Sequence, residues 1–231
     1  MWNARSRAQS SRQPTFTSPR HAAKRPWMPA LLTLGLGLSL SLSPSSAQTD
    51  DGLYEAAPPP DSAFVRLINT AARDVTATLG SAAVSVPSGN PSPYRVVRQG
   101  NVVVASGAVR QTLRVAAGRF YSVVVGDGSP RLVEDPDVTN RGRALVVLYN
   151  FGEHERVDLR TADGKTTVLE DVKRGLTAQR LVNGVRVTFA VFAAGKAIET
   201  FREVELERGA AYSVVVTKTS ATLTRNSTLR P

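Results

Sequence analysis

The chain has 231 residues, no cysteine, and 29 lysines and arginines against 19 acidic residues, a formal net charge of +10. The absence of cysteine excludes disulfide staples and thiolate chemistry, and with only two histidines it excludes a zinc site of the usual kind. The charge is less than it looks. Six of the basic residues and none of the acids lie in the first 47 residues, which leaves 23 basic against 19 acidic, a net of +4, over the rest. That excess falls entirely in residues 143–231 and is too small to mark a nucleic-acid partner.

In chain order, residues 1–47 read as a cleavable secretory signal peptide. Arg20, Lys24 and Arg25 form a basic segment, Met28 to Leu42 an apolar one, and Ser45-Ser46-Ala47 offers small residues for cleavage. The apolar run is short of the ~20 residues that span a bilayer, and no cysteine follows it to carry a lipid. The expected location is the periplasm. Residues 48–62 form a Pro-rich tether, in which Ala56-Ala57-Pro58-Pro59-Pro60 favours extended polyproline.

From Phe64 onward the pattern is strand after strand. Val75, Ala77 and Leu79 alternate with Thr76 and Thr78; Val185, Val187, Phe189 and Val191 alternate with Arg186, Thr188 and Ala190. Turn signals punctuate the strands: Pro87-Ser88-Gly89-Asn90-Pro91, Gln99-Gly100-Asn101, Gly126-Asp127-Gly128, Ala162-Asp163-Gly164-Lys165 and Asn183-Gly184. One phrase occurs twice. Gly118-Arg119-Phe120-Tyr121-Ser122-Val123-Val124-Val125 returns 91 residues later as Gly209-Ala210-Ala211-Tyr212-Ser213-Val214-Val215-Val216, and Leu132 matches Leu223. At a spacing of 81, Ala63 to Asn69 matches Ala144 to Asn150. The echo predicts one supersecondary plan used twice. The fold class is all-β: an N-terminal antiparallel β-sandwich domain over 63–138, a C-terminal one over 143–231 and a short link over Pro136–Arg143, with about eight strands in each half. In the repeated phrase, glycine ends a turn, the tyrosine ring enters the core with its hydroxyl needing a partner, and the valines fill a central strand.

Little chemistry stands out. His154, the one histidine after the leader, lies in a turn between Glu153 and Glu155, which as neighbours in sequence cannot orient it as a triad acid would. Gly126-Asp127-Gly128-Ser129 resembles the Gly-Asp-Ser turn of SGNH-type esterases, but the extra glycine breaks the spacing and no histidine follows His154. Glu134-Asp135-Pro136-Asp137 gathers three carboxylates without a calcium-loop pattern and reads as a solvated loop or acidic partner surface. Tyr121 and Tyr212 read as core. Arg156, Arg160, Lys165, Lys173, Arg174 and Arg180 offer the makings of a basic face. The residues supply no catalytic, metal or cofactor site.

An ordered set of short segments resembles a known family. Leu53-Tyr54-Glu55-Ala56-Ala57-Pro58, Ser62-Ala63-Phe64-Val65-Arg66 with Asn69, Leu132-Val133-Glu134-Asp135-Pro136, Thr161-Ala162-Asp163-Gly164-Lys165-Thr166 and Asn183-Gly184-Val185-Arg186-Val187 are similar to those of the alginate O-acetylation protein AlgF family. The long leader and the residues around Asn183-Gly184 depart from that pattern. The resemblance implies a periplasmic pair of β-sandwiches. It also implies a non-catalytic adaptor that works with SGNH-type alginate acetyltransferases and a membrane acetyl-transfer protein. The alternative is a carbohydrate-binding module that holds the anionic polymer.

Overall fold

The computed structural model describes residues 57–229, so the expected leader and the tether up to residue 56 lie outside the described residues. The described chain is seventeen strands in four sheets. The first half carries β1 (Ser62–Asn69), β2 (Val75–Leu79), β3 (Ala82–Val86), β4 (Tyr94–Arg98), β5 (Gly100–Ser106), β6 (Val109–Val115), β7 (Phe120–Val125) and β8 (Arg131–Asp135). The second carries β9 (Ala144–Asn150), β10 (Arg156–Thr161), β11 (Thr167–Lys173), β12 (Thr177–Val182), β13 (Arg186–Ala193), β14 (Lys196–Glu205), β15 (Ala211–Val216), β16 (Ala221–Arg225) and β17 (Thr228–Leu229).

In the first sandwich, sheet β3-β2-β5-β6 faces sheet β4-β1-β7-β8. In the second, sheet β11-β10-β13-β14 faces sheet β12-β9-β15-β16. The last described strand crosses back: β17 pairs in parallel with β4 of the first sandwich. Residues 136–143, expected as the link, carry no strand.

The echo is one plan built twice. In each half the first strand pairs in parallel with the valine-rich strand, Arg66 opposite Ser122 in one and Val147 opposite Ser213 in the other. The glycine that opens each phrase has positive φ, +70° at Gly118 and +76° at Gly209, where a Cβ would be strained. Their N–H groups donate to Ser62 O and Arg143 O, both at 2.8 Å. Both tyrosine rings are buried, and both hydroxyls find main-chain partners. Tyr121 Oη accepts from Ala116 N at 3.3 Å. Tyr212 Oη accepts from Glu207 N at 2.9 Å and donates to Glu205 O at 2.8 Å. Asn69 and Asn150 also act alike, donating from Nδ2 across the sandwich to Val86 O and Val172 O at 3.0 and 2.9 Å.

Alternation fills the two expected cores, with Val65, Leu67, Leu79, Val104 and Val123 in one and Val146, Leu148, Leu159, Val191 and Val214 in the other. A third core lies between the sandwiches. Ile68 of β1 joins Leu145, Val147 and Tyr149 of β9 and Val215 of β15. The sheet of β1 and the sheet of β9 therefore stack by their outer faces, and the described residues form a stack four sheets deep. Every residue of β9 is buried, because that strand is covered on both sides.

Candidate functional site

The polar groups with chemical potential gather in that third layer. Arg66, on the outer face of β1, is 1% exposed. Its Nε donates to Ser122 Oγ at 2.8 Å, Nη1 to Asn226 Oδ1 at 2.9 Å, and Nη2 to Tyr149 Oη at 2.8 Å and Ser213 Oγ at 2.9 Å. Its guanidinium lies over the Tyr94 ring at 4.5 Å and the Tyr149 ring at 5.6 Å. Asp135, at the end of β8, answers from the other side. Its Oδ2 accepts from Tyr94 Oη at 2.7 Å and Ser122 Oγ at 2.5 Å, and its Oδ1 accepts from Tyr149 Oη at 2.7 Å. Arg66 Nε and Asp135 Oδ2 are 3.6 Å apart, so the pair is coupled mainly through Ser122 and Tyr149 rather than by a direct hydrogen bond.

Burial is the largest influence on Arg66 and would lower its pKa, but Tyr149, Tyr94 and Asp135 together outweigh it and hold the guanidinium above its ordinary value. Burial pushes both the Tyr94 and Tyr149 phenols well above the ordinary tyrosine range, against the pull of Arg66. Arg66 therefore stays a cation among neutral phenols, a low-dielectric arrangement in which satisfied groups rigidify their surroundings. Its serines are poor candidates for nucleophilic attack. Ser122 and Ser213 are both 0% exposed, and each accepts from Arg66 while donating to Asp135 or Asn226.

Of the clefts on the seam between the sandwiches, two lie at the ends of β8. One, of about 630 Å³, is lined by Arg119, Glu134, Asp135, Asp137, Thr177 and Gln179 among others. The other, of about 660 Å³, is lined by Arg131, Phe151, Glu153, Arg174, Gly175 and Lys218 among others. Arg131 lies over the Phe151 ring at 5.0 Å and donates to Gly175 O at 3.0 Å, tying β8 to the second sandwich.

The residues singled out in the sequence fare differently. His154 is exposed in the turn after β9, where its carbonyl accepts from Asn150 Nδ2. Ser129 is exposed in the turn between β7 and β8. The acidic segment is not a single solvated loop. Glu134 faces outward, 3.4 Å from Arg119, whereas Asp135 turns inward to the network. The reason is the strand itself, since successive side chains on β8 point to opposite faces. The basic residues are largely engaged one by one. Arg156 meets Asp171 at 2.5 Å and Arg160 meets Asp158 at 2.6 Å. Arg180 donates to Thr167 O and Val168 O, Arg174 to Glu153 O, and Lys165 lies in the turn braced by Asp163. The Asp163 carboxyl is held below its ordinary value chiefly by its hydrogen bond with Thr161. Among the described residues no three His, Cys, Asp or Glu side chains converge as a metal site would require. Sequence reasoning missed Arg66, Tyr94 and Asn226. The available signal was a charged residue inside an apolar strand, Phe64-Val65-Arg66-Leu67-Ile68.

A family model described as Alginate O-acetyl transferase AlgF matches residues 36–213. The alginate biosynthesis protein AlgF of Pseudomonas putida is 32% identical over 87% of this chain and 94% of its own length. That of Pseudomonas syringae pv. tomato is 30% identical over 90% and 92%. A solved structure of the C-terminal domain of AlgF from P. aeruginosa is 32% identical, covering 36% of this chain and 98% of that domain, with a TM-score of 0.34. The family match and the whole-length relatives decide the matter: this chain belongs to the AlgF family of alginate biosynthesis and O-acetylation proteins.

Proposed function

We propose that the protein is a non-catalytic periplasmic adaptor in the O-acetylation of alginate. It serves partner acetyltransferases of the SGNH type and a membrane acetyl-transfer protein, and holds no acetyl group itself. The observation that carries this reading is the commitment of the repeated serines. The residues best placed by duplication to act in concert, Ser122 and Ser213, are buried and bound to one arginine. An acyl-transfer nucleophile needs access to its donor and a base that can take its proton. Here Ser122 is spent on linking Arg66 to Asp135 within its own sheet, and Ser213 on binding Arg66 across the seam. A rigid two-sandwich body suits a protein that positions others.

The test is a deletion strain complemented in trans. Loss of polymer acetylation, with recovery of the acetyltransferases on the tagged protein, is the expected result. A Ser122→Ala, Ser213→Ala double variant that accumulates normally restores acetylation if the role is non-catalytic. Full acetylation without the protein removes the adaptor reading, and acetyl-ester hydrolysis by the pure protein, lost in the serine variant, replaces it with an enzyme.

A further inference from the structure

The β8 side of the seam has three features that the network does not use. β8 is the last strand of its sheet, so among the described residues one of its edges has no strand partner. The clefts at its two ends differ in sign. At the Arg131 end, Arg131, Arg174 and Lys218 outnumber Glu153. At the Asp135 end, Glu134 and Asp137 outnumber Arg119, while Asp135 is spent on Arg66 and the tyrosines. Between them stands an apolar side chain. Gly175 lines one cleft and Thr177 the other, and Leu176 is 55% exposed, the most exposed large hydrophobic among the described residues.

We propose that the β8 edge is a docking groove for an extended segment of a partner protein, added as an antiparallel strand. The segment is basic toward its N-terminal end, apolar in the middle and acidic toward its C-terminal end. The direction follows from β8, which runs from Arg131 to Asp135; an antiparallel neighbour starts at Glu134 and Asp137 and finishes at Arg131, Arg174 and Lys218. The strand offers about 13 Å of edge at about 3.3 Å per residue, bracketed by Pro130 and Pro136, which keep the addition short. Main-chain bonds give such a site affinity, and side-chain pockets give it selectivity. A polyuronate fits poorly. Its uniform negative charge meets Glu134 and Asp137, and the Phe151 face that could stack a sugar ring is covered by Arg131. This inference rests on the adaptor reading.

The probe is a blocked peptide, Lys-Lys-Val-Ser-Leu-Ser-Val-Glu-Glu, titrated into the isotopically labelled intact protein and compared with the same residues in reverse order and with a short oligouronate. The forward peptide is expected to shift amides of Arg131–Asp135 and of residues 175–178, and the reverse peptide to bind about tenfold more weakly or worse. Leu176→Asp, an exposed position, weakens the forward peptide about tenfold. Arg174→Glu with Lys218→Glu abolishes its binding and confers binding of a peptide with lysines at both ends. Equal binding of the two orders, shifts elsewhere, no binding, or an oligouronate that moves the same amides overturns the groove. If the deletion strain loses acetylation while the peptides ignore β8, only the groove fails. If acetylation survives deletion, the adaptor reading fails whatever the peptides do.

Discussion

The two sandwiches are built on one plan and differ where they touch. Their first strands correspond residue for residue, but Arg66 of β1 answers to Val147 of β9, and Ile68 to Tyr149. At the ends of the returning strands, Asp135 answers to Asn226, the residue after β16. The serines at the seam, Ser122 and Ser213, are the same in both. Two arginines would bury two cations face to face, and two valines would leave both serines facing an apolar layer. One arginine, shared by both halves and balanced by one carboxylate, satisfies every partner it meets. Duplication thus supplied the register, and divergence at a few seam positions made the copies fit each other in one orientation.

The largest break in that comparison is to give the first sandwich the second one's residue. Arg66→Val strands Asp135 in the seam, and removing one partner of a buried pair costs about 3–5 kcal/mol, read as a lower urea midpoint. Adding Asp135→Asn, which copies Asn226, removes the orphaned charge and recovers a substantial part of the loss. A midpoint that hardly moves in the single variant would show that the network does not hold the sandwiches together.

Tyr149→Phe sharpens the other difference, with Ile68. It takes the hydroxyl from between Arg66 Nη2 and Asp135 Oδ1 but keeps the ring. Arg66 Nη2 retains Ser213, whereas Asp135 Oδ1 loses the partner named here, so the expected cost is about 1–3 kcal/mol. The seam tyrosines also set an alkaline limit. Folding raises the pKa of Tyr94 and Tyr149, so the unfolded chain gives up these protons first. Their contribution is complete below the unfolded value near pH 10 and is lost as pH rises above it. Tyrosine absorbance should show these two phenols ionising together with unfolding; their ionisation in a chain that stays folded would place them in contact with solvent.

Much of this architecture was legible in the sequence. Period two gave β2 and β13, glycine and asparagine marked the turns, and the repeated phrase fixed two central strands with their tyrosine anchors. The third core was not read, although its trace was there. Ala144-Leu145-Val146-Val147-Leu148-Tyr149 is apolar without alternation, which is what a strand covered on both faces requires. Along the chain Asp135 is one of three neighbouring carboxylates with Glu134 and Asp137, but a strand sends neighbours to opposite faces, which charge order alone does not show. The parallel pairing of β1 with β7 and the return of β17 to β4 depend on contacts far apart in sequence, to which local patterns are blind.

The smallest effect tests whether the copies are equal where they are alike. Gly118 and Gly209 both hold positive φ, and they donate to carbonyls 81 positions apart, Ser62 O and Arg143 O. A Cβ at Gly118 meets nothing within 4 Å, and at Gly209 its nearest neighbour is Arg141 O at an ordinary 3.5 Å. Neither site has a packing clash to add, so alanine at either costs only the left-handed backbone, about 1–2 kcal/mol. Gly118→Ala and Gly209→Ala should therefore lower the urea midpoint equally. A markedly larger loss at Gly209 would mean that the link through Arg141 strains the second copy in a way the first does not share, and the equivalence of the two turns would end there.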